Sequence, residues 1–123
     1  AKALAERANE YVKKVGPEQA FKDFTTDKAK WNPKDMYVFA GDMNATVVAH
    51  GQSEKFLGKN LMELKDQNGK AFVKEFIDVA KTKGSGWVEY DWINPQTKKV
   101  EPKVSYVLKL SSFDGIVIVG VYR

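Results

Sequence analysis

Apolar positions at the start of the chain recur at helical spacing. Leu4, Ala8, Tyr11, Val12 and Val15 fall on one face, and Lys and Glu fill the other. That pattern predicts an amphipathic helix over 2–15. Gly16 suits the residue just past a helix end and Pro17 the first turn of a new one, so a short second helix is expected with Ala20, Phe21 and Phe24 on one side. Thr25 to Lys34 is polar except for Trp31, which predicts a loop with one anchored aromatic. Tyr37 to Ala40 and Thr46 to His50 read as short strands joined in a hairpin through the turn residues Gly41-Asp42-Met43-Asn44. Gly51 to Gly69 is irregular, yet it carries Phe56, Leu57, Leu61, Met62 and Leu64. A loop this apolar is expected to fold back as a short helix or flap over the sheet. Phe72, Val73, Phe76, Ile77 and Ala80 predict a helix over 69–83, stopped by Gly84. Strands over 87–93, 100–110 and 115–122 follow. Ile116 to Tyr122 is nearly continuous apolar sequence, so both its faces should be covered, as in a central strand. The order of elements predicts an α+β fold, a five-stranded antiparallel sheet with a crossover helix and helices packed on it.

The hairpin over 84–107 carries the most suggestive chemistry. Pairing Ile93 with Val100 sets Tyr90 opposite Lys103 and Val88 opposite Ser105, with Trp92 diagonal to Lys103 on the same face. An ammonium among aromatic rings can grip a small carboxylate or rest as a cation–π pair. The pattern leaves open a plainer reading, a surface lysine beside a packed hairpin. A slip of one residue would also turn Lys103 to the other face. His50, the only histidine, can donate a hydrogen bond to an anion. On chemistry alone, a structural histidine is the plainer reading there too.

Composition removes several function classes. The chain has 123 residues and no Cys. It suits a single domain over 1–123, with leading helices over 1–24 and a core over 35–123. Disulfides, thiolate metal sites and a cysteine nucleophile are excluded. The formal charge of +4 comes from 20 basic and 16 acidic residues spread along the chain. No dense basic block or nucleic-acid motif is present, so nucleic acid is not an expected partner. No apolar run approaches the ~20 residues of a membrane span. The chain opens on Ala1 rather than Met, as expected where an upstream segment has been removed. Gly51 to Asn60 lacks the glycine spacing and the Ser or Thr of a phosphate-binding loop. Asp66-Gln67-Asn68-Gly69 lacks the downstream glutamate of a calcium loop and is expected to cap the next helix. With one His and no Cys, no nucleophile–base–acid set stands out. Neither an enzyme nor a cofactor is expected.

Many short segments, in order, resemble one family. They are Gly16-Pro17-Glu18-Gln19-Ala20-Phe21-Lys22-Asp23-Phe24, Tyr37-Val38-Phe39 with Asp42, Ala49-His50-Gly51 and Leu57-Gly58-Lys59-Asn60. Asp66 with Gly69-Lys70 and Gly84-Ser85-Gly86-Trp87-Val88 with Tyr90 and Trp92 continue the series. Asn94-Pro95, Lys98-Lys99, Lys103, Ser105-Tyr106-Val107 and Gly120-Val121-Tyr122 complete it. Together they resemble a single Cache domain of the second type, a bacterial extracytoplasmic sensor module. The resemblance implies a PAS-like fold with a ligand pocket on one sheet face, covered by the segment between the second and third strands, here 51–83. It implies a periplasmic or extracellular setting, either free-standing or as a domain cut from a receptor or kinase. It also implies a small organic acid ligand of the acetate, propionate, pyruvate and lactate class. Lys103 becomes the candidate charge partner and His50 and Tyr90 candidate hydrogen-bond donors. Trp92, Phe39 and Trp31 become candidate walls, with Tyr37, Leu57 and Tyr106 completing the set. Many carboxylate-binding members use an arginine clamp, whereas the arginines here, Arg7 and Arg123, lie at the chain ends. A lysine without bidentate geometry implies modest affinity. The alternative is an interaction domain with a filled core and a homodimer face on the leading helix.

Overall fold

The computed structural model describes residues 2–31, 36–51, 54–66, 68–94 and 97–122. Helices α1 (Lys2–Val15), α2 (Pro17–Thr26) and the short α3 (Lys28–Trp31) lead the chain. The segment expected as an aromatic-anchored loop is therefore helical as far as Trp31; Asn32 to Asp35 lie outside the described residues, as do Pro95 and Gln96 of the later hairpin loop. Strands β1 (Val38–Asp42) and β2 (Val47–His50) form the first hairpin. A 3-10 turn at Glu54–Phe56 and helix α4 (Phe72–Lys83) precede β3 (Ser85–Ile93), β4 (Val100–Lys109) and β5 (Gly115–Tyr122). Helix α4 ends as its sequence predicts. Gly84 takes a left-handed φ of 80°, and its N–H donates to the Ala80 carbonyl. A side chain there would be strained, so glycine is the natural stop.

The five strands run antiparallel in the order β2-β1-β5-β4-β3. The apolar β5 is central, and each of its faces meets its own core. On one face Val38, Ala40, Ala49, Tyr106, Val117 and Val119 pack beneath α1 and α2. The leading helix turns Leu4, Ala5, Ala8 and Val12 inward onto this layer. Its apolar stripe is thus occupied within the chain, which leaves its charged side outward. On the other face Val88, Tyr90, Val107, Ile116 and Ile118 pack against Phe72, Val73, Phe76 and Ile77 of α4. Burying each large apolar side chain contributes about 1.5–3 kcal/mol, so the alternation along β4 and β5 sets which core each residue joins.

The segment between β2 and α4 is pinned to both sheet edges. At the β2 edge, Val47 N–H donates to the Lys59 carbonyl and Gly58 N–H to the Val47 carbonyl, both at 2.9 Å. At the β3 edge, the Asp66 carboxylate accepts from Asp91 N–H at 3.1 Å, and Lys70 Nζ donates to the Glu89 carbonyl at 2.5 Å. Asp66 also accepts from the N–H groups of Asn68 and Lys70, at 2.9 and 3.0 Å. This corrects the expected helix cap: α4 begins at Phe72 behind Ala71, without a side-chain cap, because turn and edge donors already saturate the carboxylate. Part of each sheet edge is thereby paired. The backbone donors, Lys70 N–H foremost, hold the Asp66 carboxyl below its ordinary pKa of 3.8. Its contribution to stability is present above that value and is lost as pH falls through the lowered one. Asp66→Ala is expected to lower the melting midpoint at pH 7 and to speed exchange of the Asp91 amide. The deficit should shrink at acid pH; an equal deficit throughout the acid range would disprove this latch.

Candidate ligand pocket

The β3–β4 register is the one expected, with Ile93 opposite Val100, Tyr90 opposite Lys103 and Val88 opposite Ser105. Alternation then points Lys103 into the α4 side of the sheet, where it is only 4 % exposed. It is not a surface lysine. Its Nζ donates to the Tyr37 hydroxyl at 3.2 Å. The ammonium lies 5.0, 5.1 and 5.9 Å from the ring centres of Tyr37, Tyr122 and Tyr90. Tyr122 faces Lys103 across β4 and β5. Among the described residues no carboxylate forms an ion pair with Lys103. Burial without a counter-charge disfavours the ammonium, and its pKa is pushed down to about 8. The same burial pushes the Tyr37 and Tyr90 phenols up, and Tyr122 to about 12. At neutral pH the site is therefore a cation in a cage of neutral phenols.

Aromatic packing makes the remaining walls. Tyr90 stacks on Phe72 with ring centres 4.3 Å apart and shares a 2.8 Å hydrogen bond with the buried Ser105 hydroxyl. Trp92 stands edge-on to Phe72 at 5.3 Å. His50 is buried, and its ring lies 5.0 Å from Tyr37, 5.1 Å from Phe39 and 4.9 Å from Phe56. Its backbone N–H donates to Thr25 Oγ1 of α2, which fixes the end of β2. Phe56, Leu61 and Leu64 from the cap close the space above. The free volume is about 30 Å³, room for about one or two waters. An open cleft of about 240 Å³, walled by the Asp66–Lys70 turn and β3, shares Tyr90 and Lys103 with the inner cavity. The cleft gives solvent a side from which to approach the lysine.

Six of the residues singled out in the sequence line this one cavity: Lys103, Tyr90, Trp92, His50, Tyr37 and Phe39. Three do not. Trp31 is fully buried on the opposite face, packed on Tyr11 and Phe24 with ring centres 5.0 and 4.7 Å apart. Tyr106 also faces that side and meets Trp87 edge-on at 5.0 Å. Its odd offset from Lys103 along β4 requires this. Leu57 is 40 % exposed and borders a groove with Phe21, Thr25 and Val48 instead. Sequence reasoning missed Tyr122, Ser105, Phe72 and the cap residues. Tyr122 and Ser105 were findable from the strand registers. The cap side chains carry no periodicity and were not.

A family model described as Single Cache domain 2 matches residues 3–123. The chain belongs to the single Cache domain 2 family. Its fold is the expected Cache, PAS-like one. This Cache domain is 33 % identical over 89 residues, 72 % of its length, to the sensor histidine kinase MctS of Rhizobium johnstonii. It spans 19 % of that kinase, and less than a fifth of each curated relative matched. It superposes with a TM-score of 0.82 on a methyl-accepting chemotaxis protein of Vibrio parahaemolyticus, at 26 % identity, covering 98 % of this chain and 84 % of the other. It also matches, with a TM-score of 0.76 and 26 % identity over 95 % of this chain and 78 % of the other, a Cache chemosensory domain solved to explain carboxylic acid recognition. Cache domains are extracytoplasmic sensor modules of chemoreceptors and sensor kinases. No helix among the described residues is long and apolar enough to cross a membrane.

Proposed function

We propose that this Cache domain senses a short carboxylate of the acetate, propionate, pyruvate and lactate class from outside the cytoplasm, in a chemoreceptor, a sensor kinase or as a free periplasmic module. The carrying observation is Lys103, a buried ammonium that faces the cavity with no carboxylate paired to it among the described residues. An anion supplies the missing counter-charge, and a charge-assisted hydrogen bond is about twice as strong as a neutral one. Tyr37, already bonded to Nζ, orients the ammonium, and the Tyr90 hydroxyl and His50 offer further polar contacts to the carboxylate. Phe39, Trp92 and the cap side chains bury the acid's tail, at about 0.8 kcal/mol per methylene, which favours propionate over formate. Arg7 is spoken for: it lies 4.9 Å over the Trp31 ring on the far side of the sheet and donates to the Lys30 carbonyl. With a single lysine as clamp, affinity should be modest.

A thermal-shift screen of two- to four-carbon acids tests this reading. Stabilisation should reach about 2.7 kcal/mol when the acid is at a hundred times its Kd. No shift from any of them at tens of millimolar would end it.

A further inference from the structure

Gly120 interrupts the apolar run of the central strand β5, between Val119 and Val121. A glycine inside a strand is destabilising relative to alanine and gives nothing to pack, so its presence asks for a cause. Backbone conformation is not that cause. Positive φ occurs at Gly16, Gly58, Gly69 and Gly84 among the described glycines, and not at Gly120. Space is. A Cβ built on Gly120 would press against Lys103 Cε and stand 2.5 Å from Ser105 Oγ and 3.3 Å from Lys103 Nζ. Ser105 is the residue opposite Gly120 across the ladder, and Lys103 is opposite Tyr122. The lysine stem therefore crosses diagonally over the bare backbone at Gly120.

We infer that Gly120 is a positioning residue for Lys103: its missing side chain is the trough that lays the lysine stem against β5 and delivers Nζ into the cage of Tyr37, Tyr90 and Tyr122. Lys103 has a long flexible stem, and burying it in one rotamer costs side-chain entropy. A smooth trough with aromatic rings at its far end leaves one low-energy path. Any β-carbon at position 120 blocks that path, and the ammonium, which burial disfavours, swings outward through the adjoining cleft to water. The inference concerns where Lys103 points. It rests on the carboxylate reading only for its consequence in binding.

The test reads Lys103 directly, without any acid. Trace labelling of amines with acetic anhydride, resolved by peptide mass spectrometry, gives the pH at which Lys103 becomes reactive. In the native protein the midpoint should lie at about 8, against 10.5 for an ordinary lysine. Because the new methyl group also meets Ser105, Ser105→Ala is the reference and Ser105→Ala/Gly120→Ala the comparison. Adding Gly120→Ala should move the midpoint most of the way toward 10.5. In the otherwise native chain, it should also weaken propionate binding by about tenfold or more. An unmoved midpoint in the folded double variant overturns the inference. If the double variant does not fold, Lys103→Ala is added: recovery of the folded state supports a collision with the lysine stem, and no recovery overturns it. A shifted midpoint with no propionate binding by the native protein keeps the positioning role and defeats the carboxylate reading alone.

Discussion

Replacing Lys103 by methionine should make the domain more stable and weaken carboxylate binding by about ten- to a hundredfold. The substitution keeps the length of the stem and removes the charge. Lys103 is buried, 4 % exposed, with its pKa at about 8 rather than 10.5. A group with a lowered ammonium pKa binds fewer protons folded than unfolded between those values, so stability rises with pH across about 8 to 10.5. Below pH 8 the full deficit applies, on the order of 3 kcal/mol from 1.36 kcal/mol per pH unit. Lys103→Met should recover most of it at pH 7, seen as a raised urea midpoint, and should flatten the rise above pH 8. The buried tyrosines act in the opposite sense. Their raised pKa values mean that their contribution is intact below about 10 and fades above it, so the contribution of the cage itself should peak near pH 10. Acid binding should follow the ammonium: about ten- to a hundredfold weaker in Lys103→Met at pH 7, and about tenfold weaker per pH unit in the native protein once pH exceeds 8. Calorimetric titration with propionate reads both. A variant that is less stable than the native protein, or that binds the acid equally well, contradicts this account of the cage.

The second large effect separates the two faces of the sheet. Trp31→Ala should cost about 3–5 kcal/mol, the range for emptying a large aromatic site. Trp31 is fully buried against Phe24 and Tyr11, and Arg7 and Lys30 lie over its ring at 4.9 and 5.5 Å. Chemical denaturation measures the loss. Under conditions where the variant remains folded, its affinity for propionate should equal that of the native protein, because the whole sheet separates Trp31 from the cavity. Affinity that drops with the substitution would restore Trp31 as a pocket wall and contradict the assignment of faces.

These two residues show where sequence reasoning succeeds and where it stops. For Lys103 the strand pattern offered the pairing with Tyr90 and the shared face with Trp92, and left a slip of one residue open, which the observed register removes. Periodicity alone still allowed a surface position. Whether that face was wet depended on α4 and the cap, which are distant in sequence. For Trp31 the sequence signalled an anchored aromatic. It carried no sign of which layer held the anchor, and the structure puts it beneath α1 and α2. Tyr106 was misplaced for a simpler reason: its offset from Lys103 along the strand is odd, so the two cannot share a face. Asp66 was read as a helix cap from its local spacing, yet the nearest unsatisfied donors belonged to its own turn and to the edge of β3.

The sequence by itself determined the class of fold, the order of the strands along the chain and the central place of β5. Those follow from local periodicity and from how many faces of a strand must be apolar. Only the tertiary structure decided that Lys103 is buried, that Tyr37 and Tyr122 complete the cage, and that Gly120 carries the lysine stem. Each of these depends on side chains meeting across non-adjacent parts of the chain. Burial and the lowered ammonium pKa that follows from it are properties of the assembled surroundings, which no single stretch of sequence contains.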